Sequence, residues 1–258
     1  MLLDTGSSYS SVNIARSALS SILLFDGVNF GELREVKLFM KGVFNIKPPQ
    51  PRYVDIWDPS IVLELLRKWF PARKLCLKLL TMKLVMLILL TTGQRGQILQ
   101  ALNVDDMHIG CRSVVFKISN LNVKQGRLGY KPNLVKLKAY APDKRLCVFH
   151  YAIAYLNRTL DIRGTNKSFF ITCTKPYKVP SRDTYSRWVR TVLSQAGINL
   201  GIFGPGSTRS AVTSKAASRN CPVNEIMRNA GWSQESTFTK WYKKEIENKC
   251  TMSDFVLK

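Results

Sequence analysis

Residues 84–107 read LVMLILLTTGQRGQILQALNVDDM. Leu84–Leu90 is apolar without a break, and the apolar character reaches back to Leu75, interrupted by Lys78 and Lys83. The uncharged part, Leu84–Gln94, is about half the ~20 residues that a bilayer requires, so it predicts a helix over 75–91 buried in protein. Arg95 follows directly. A base at the edge of a core helix either snorkels to water or is aimed at an anion.

Outward from this helix, the pattern is mainly helical. Asp58-Pro59 is a helix start, a cap followed by proline in the first turn, and predicts a helix over 59–69. Further helices are expected at 146–158, 182–196 (Tyr185, Trp188, Val189, Val192, Leu193 and Ala196 on one face, stopped by Gly197), 208–219, 223–230 and 234–246. β-like runs occur at 113–118 (SVVFKI), 134–139 (LVKLKA) and 168–172 (SFFIT), with turn-rich residues 119–133 between the first two. Towards the N-terminus, helices are expected at 9–24 (Val12, Ala15, Leu19, Ile22, Leu23) and 31–44 (Leu33, Val36, Phe39, Met40, Val43). Between the two parts lies IKPPQPRYVDIWDP, residues 46–59, whose four prolines exclude a helix interior or central strand. The expected organisation is a short helical lobe over 1–47, a linker over 48–57 and a larger domain over 58–258. The fold class is mainly α with a small antiparallel sheet (α+β).

The charge steps at the same linker. The 258 residues carry 39 Lys and Arg against 17 Asp and Glu, net +22. Residues 1–56 contribute only +1, and the remaining 202 residues +21. A globular chain this basic calls for a polyanionic partner, nucleic acid or an anionic membrane surface. No basic amphipathic helix and no signal-peptide pattern stands out, which disfavours the membrane. The composition, 45% hydrophobic and 22% charged, is that of a folded chain. Six scattered cysteines and two histidines, without any C-x-x-C, read as buried thiols in a reducing compartment rather than a zinc site or disulfide framework.

Several residues could carry chemistry. Asp4-Thr5-Gly6-Ser7 matches an aspartic-protease tripeptide, but no second such motif exists and a helical pattern follows at once. Asp105-Asp106 could hint at a metal-dependent nuclease, yet neighbouring carboxylates on one segment point apart, and an exposed turn is the simpler reading. The basic candidates are more coherent. In GPGSTRSAVTSKAASRN, residues 204–220, Ser207 or Thr208 is the natural N-cap, which puts Arg209 in a helix's first turn. That end favours anions, so a cation there is explained by an anionic ligand. Lys124 lies in the turn NVKQGRLG between two strands, ordinarily a solvated hairpin. Trp232, after Gly231, and Tyr242, at a helix end, would ordinarily be core or rim aromatics.

Taken in order, TTGQR, the hairpin Lys124, STR, AGWS and KWY resemble the tyrosine recombinases, the phage-integrase-like family. SALSSILL (17–24), FMKGVFNIKPPQPRY (39–53) and NAGWSQESTFTKWY (229–242) are similar to the eukaryotic branch carried by DIRS-like retroelements, and the likeness runs from about Ser8 to Glu247. The resemblance implies an integrase-like catalytic domain preceded by a truncated, SAM-like core-binding lobe. It implies site-specific DNA recombination or integration through a 3′-phosphotyrosyl intermediate, without metal or other cofactor. Duplex DNA is the implied partner, with self-assembly into an oligomer on DNA, no membrane and no small-molecule substrate, and a mobile element acting in the nucleus is the implied setting. By the same resemblance, Tyr242 is the nucleophile, Arg95 and Arg209 grip the scissile phosphate, Trp232 donates to a phosphate oxygen, and Lys124 is the general acid.

Two positions depart from the family pattern. Gly206 stands where the H-x-x-R histidine belongs, and Ile98 stands where an acid is common. The alternative reading is therefore a catalytically degraded or domesticated DNA-binding relic. A basic RNA-binding protein would account for the charge but leave the motif order unexplained.

Overall fold

The computed structural model describes residues 6–118 and 134–246. The chain divides into two compact units, Met1–Arg52 and Tyr53–Lys258.

In the first unit, α1 (Tyr9–Ser20) begins at Ser8, whose Oγ accepts the Ser11 N–H. It ends four residues before the expected 24, because the chain turns into a small hairpin, β1 (Leu24–Phe25) and β2 (Val28–Asn29), around Asp26-Gly27. Both turn residues have positive φ, 48° and 78°, the geometry that Asp-Gly provides at least cost. α2 (Arg34–Ile46) follows. The core of this unit is small: Val12, Met40 and Val43, with Tyr9 and Val36 against them.

The second unit is built around α4 (Leu77–Thr92), which is apolar on every side and buried nearly throughout. A helix without a wet face must be surrounded. α6 (Val148–Thr159), α7 (Arg182–Gln195) and α8 (Ser207–Ser218) pack on it. α3 (Pro59–Lys68) starts where Asp58 Oδ1 accepts the Ser60 N–H at 2.8 Å, with proline in the first turn. Strands β4 (Met107–Gly110), β5 (Ser113–Lys117) and β6 (Leu134–Lys138) form an antiparallel sheet, order β4-β5-β6. Val114, Phe116, Val135 and Leu137 turn its inner face to the core. A short α5 (Ile98–Ala101) connects α4 to this sheet. The architecture is thus mainly α with a small antiparallel sheet.

Further expectations need correction. Residues 168–172 are not a strand. Phe169, Phe170 and Ile171 are all buried, the segment makes a single bridge among the described residues, Asn103 to Ser168, and the Ile171 N–H goes to the Tyr155 hydroxyl at 3.0 Å instead of a ladder. The end of the expected linker belongs to the second unit. β3 (Asp55–Ile56) pairs in parallel with β7 (Glu245–Ile246), and Ile56 and Trp57 are fully buried. The thiols are not uniformly buried: Cys147 is, but Cys76 and Cys111 are exposed. Lys83 does more than interrupt an apolar run. It is fully buried, and its Nζ donates to Leu66 O at 2.7 Å, Trp69 O at 2.6 Å and the Tyr151 hydroxyl at 2.7 Å. The amine thereby satisfies carbonyls at the C-terminal end of α3. Burial holds its pKa far below a lysine's usual value, at about 7, with Arg145 pushing the same way and Asp143 opposing.

α9 (Val223–Ala230) and α10 (Glu235–Trp241) complete the unit. They enclose a second, smaller core of Ile226, Ala230, Trp232 and Phe238, with Ala216 and Ala217 of α8 against it. Among the described residues, no helix is long and apolar enough to cross a membrane.

Candidate functional site

The site forms where the N-terminus of α8 meets the C-terminus of α4 and the small core. Gly206, not Ser207 or Thr208, is the N-cap of α8, with φ −69° and ψ −18°. Ser207 and Thr208 are the first helical residues, and their hydroxyls turn back onto Gly204 O at 2.7 Å and Pro205 O at 2.8 Å. Ser207 Oγ also accepts the Trp57 indole N–H at 2.8 Å, which ties this turn to the segment after β3. Arg209 lies in the anchored turn, only 4% exposed.

One arm of the Arg209 guanidinium is held by α4. Its Nη1 donates to Gly93 O at 3.1 Å. Gly93 ends α4 in the left-handed region, φ 63°, and a Cβ there would lie 3.4 Å from Thr213 Cγ2, so both the turn and the close approach of α8 favour glycine. The next residue, Gln94, donates from Nε2 to Asn229 O at 2.5 Å and fixes this turn to α9.

The rest of the guanidinium faces aromatic rings. Its Cζ lies 4.1 Å from the Trp232 ring centroid and 5.4 Å from that of Tyr242, and the two rings are 4.6 Å apart. Trp232 follows Gly231, the left-handed cap of α9 (φ 71°), and Tyr242 is the C-cap of α10. Arg209 Nε, Arg209 Nη2 and Trp232 Nε1 are buried without an acceptor among the described residues. Each such donor costs about 1–3 kcal/mol, more when charged, so a group of three marks a ligand site. Burial pulls the Arg209 pKa down to about 10, the charge of Arg95 acts in the same direction, and the Tyr242 phenol opposes. The guanidinium stays cationic at neutral pH.

The structure thus brings Arg209, Trp232 and Tyr242 into mutual contact, with Arg95 near enough for its charge to act on Arg209. Arg95 is exposed in the turn between α4 and α5. Lys124 lies outside the described residues; the strands flanking its segment pair at Lys117–Leu134. Ile98 is buried in the core. Asp105 sits in an exposed turn and pairs with Lys167 at 2.5 Å. At Gly206, an added Cβ would meet nothing within 4 Å.

Sequence reasoning did not find the serines of α8. Ser210 and Ser214 both donate to the backbone carbonyl of Tyr242, at 3.0 and 2.8 Å. The only trace in the sequence is their i, i+4 spacing directly after Arg209.

Chemically, this is a buried cationic cluster of donors beside a phenol. It suits an anion that can accept several hydrogen bonds, and a guanidinium fork fits two oxygens of one phosphate.

No protein-family model and no curated protein matches this sequence. Solved structures do match by fold. The XerH site-specific recombinase bound to difH substrate superposes with TM-score 0.53 at 14% identity, over 90% of this chain and 66% of that one. The Tn1549 transposon integrase in complex with transposon right-end DNA gives TM-score 0.58 at 13% identity, over 99% and 80%. A lambda integrase dimer bound to a COC′ core site gives 0.54 at 15% identity, over 97% and 64%. The chain therefore spans about two thirds of XerH and of lambda integrase, and shares with all three the integrase fold.

Proposed function

We propose that this protein is a site-specific DNA recombinase or integrase that cleaves and rejoins strands through a phosphotyrosyl link to Tyr242. The observation that carries the reading is the group of three unpartnered buried donors, on Arg209 and Trp232, against the Tyr242 ring. Net +21 on the residues after the linker supplies the field for duplex DNA. The similar structures of XerH, Tn1549 integrase and lambda integrase hold DNA, which supports the same partner here.

In the proposed reaction the phosphodiester lies against Arg209, Arg95 and the Trp232 N–H. The Tyr242 oxygen attacks phosphorus and loses its proton to water. The bond from phosphorus to the 5′ oxygen breaks, and that oxygen takes a proton from Lys124. The charge that builds on the non-bridging oxygens is met by guanidinium and indole donors. Because one phosphoester replaces another, the strand is rejoined by the reverse attack of a 5′ hydroxyl. Assembly into an oligomer on DNA, a place in the DIRS-like retroelement branch and action in the nucleus belong to the same proposal and rest on the sequence resemblance.

A second reading, a DNA-binding relic without catalysis, is favoured by one specific feature: Gly206 has no side chain to donate to phosphate or to take the phenol's proton. One experiment separates the two. Nicked duplexes with a randomised central tract are incubated with the full chain and resolved on denaturing gels. The recombinase reading expects a covalent adduct that vanishes in Tyr242→Phe. DNA binding without adduct supports the relic, and an adduct that survives Tyr242→Phe overturns the assignment of the nucleophile.

A further inference from the structure

Serine and threonine within a helix ordinarily turn the hydroxyl back to the carbonyl one turn earlier. Thr81, Thr92, Thr159 and Thr213 do so, bonding Leu77, Ile88, Tyr155 and Arg209. Ser210 and Ser214 do not. Both are buried, 3% and 2% exposed, and both hydroxyls leave α8 to donate to one atom, the carbonyl oxygen of Tyr242. Ser214 Oγ also accepts the Lys244 N–H at 2.9 Å. The two serines are one turn apart, so their side chains stack on one face. Tyr242 caps α10, its carbonyl has no partner within that helix, and two hydroxyls fill both its lone pairs.

The consequence is geometric. Arg209 and the two serines are fixed within six residues of one helix, and the serines grip the backbone of the residue whose ring faces Arg209. The separation between guanidinium and phenol is thus set by one rigid element and two hydrogen bonds.

We propose that Ser210 and Ser214 are positioning residues that hold the Tyr242 phenol beside the Arg209 guanidinium for attack on phosphorus. The proposal rests on the reading of Tyr242 as the nucleophile. Loss of the clamp frees the tyrosine segment without removing any group that touches DNA.

The test uses the full chain, each Ser→Ala variant alone, and the Ser210→Ala/Ser214→Ala pair. Alanine is the better helix former, so α8 is retained. Three quantities are measured: the single-turnover rate of adduct formation at saturating nicked duplex, the Kd for the same duplex, and hydrogen exchange at the Lys244 amide. The expected result for the pair is a rate lower by roughly 10- to 100-fold, the loss that a misplacement of about 1 Å produces, with Kd unchanged. Lys244 exchange should speed up in Ser214→Ala and not in Ser210→Ala. A double variant that cleaves at the wild-type rate overturns the proposal and leaves the nucleophile assignment intact. Should the pair fail to fold by circular dichroism, the single variants decide by the same criteria. A wild-type chain that forms no adduct overturns the nucleophile reading and the positioning role with it, while Lys244 exchange still reports whether the clamp exists.

Discussion

The Arg209 guanidinium carbon sits 4.1 Å from the centroid of the Trp232 ring, and the indole N–H of that ring has no acceptor among the described residues. The ring therefore has two separable parts, a face that covers the cation and a donor at its edge. Trp232→Phe keeps a face and deletes the donor. Adduct formation at saturating nicked duplex is expected to fall roughly 10- to 100-fold, the worth of a hydrogen bond to a charged group at about 1.5–3 kcal/mol. The Kd for DNA should stay near wild type. A Kd that rises while the saturating rate stays at wild type would assign the indole to binding alone.

Gly206 offers a direct gain-of-function test. Its backbone lies in the ordinary right-handed region, and a Cβ there meets nothing within 4 Å, so histidine is accommodated without strain. A phenol is protonated at neutral pH, and a positioned acid–base group contributes about 10²–10⁴-fold. Gly206→His is expected to raise the adduct rate within or just below that range, read on the same gels. An unchanged rate would mean that proton removal is not limiting.

Lys83 makes stability depend on pH in a defined direction. Its pKa is near 7 in the folded chain and near a lysine's ordinary 10.5 when unfolded, so between these values the unfolded state holds more protons. Stability then rises with pH through about 7 to 10. Tyr151, pushed up to about 12 by burial, keeps its proton across this window. In Lys83→Met the rise should disappear. Near pH 10 the variant should be the weaker by a few kcal/mol, since buried acceptors left unpaired cost about 1–3 kcal/mol each, and the gap should narrow towards pH 7, where the wild-type amine takes up its costly charge. Urea titrations of both proteins from pH 6 to pH 10 provide the comparison.

Limited proteolysis should cut the chain after Arg52. Arg52 and Val54 are exposed, whereas Ile56 and Trp57 are buried and Asp55–Ile56 is paired with β7. Exposed junctions are the preferred sites of nicking. Brief trypsin treatment is expected to release a fragment starting at Tyr53, identified by mass. First cleavage within α4 would contradict the packing described.

DNA affinity should fall steeply with salt and persist in EDTA. A protein making about 6–10 phosphate contacts loses some 10³–10⁵ in affinity between 50 and 200 mM salt. Filter binding with any duplex of suitable length measures it. A flat response would remove the electrostatic basis of the proposed function.

The long helices were legible because their signals are local. Asp58-Pro59 starts α3 and Gly197 follows α7, within reach of an unaided eye. β3 and β7 were not, since each is two residues long and its partner lies at the other end of the unit. Phe169–Ile171 has β composition but donates its N–H groups to the Leu102 carbonyl and the Tyr155 hydroxyl, which no periodicity reveals. At the site, arginine, tryptophan and tyrosine stood out by chemical type. Ser210 and Ser214 could not, because a helical serine gives no sign of which carbonyl it will choose.

α8 is a wall shared by two rooms. Ala211 belongs to the large core around α4, while Ala216 and Ala217 face the small one. Arg209 hangs from this wall on the side of α4, and Trp232 and Tyr242 belong to the smaller room, whose interior has four buried apolar residues among the described ones. So small a block opens at lower free energy than the whole unit. Whatever chemistry the site performs, mild denaturant should extinguish it before the helical signal declines, because prying the small block from α8 parts the cation from its rings while most helices stand. The seam acts as a fuse: this chain would lose its chemistry reversibly, by local opening, well before it loses its fold.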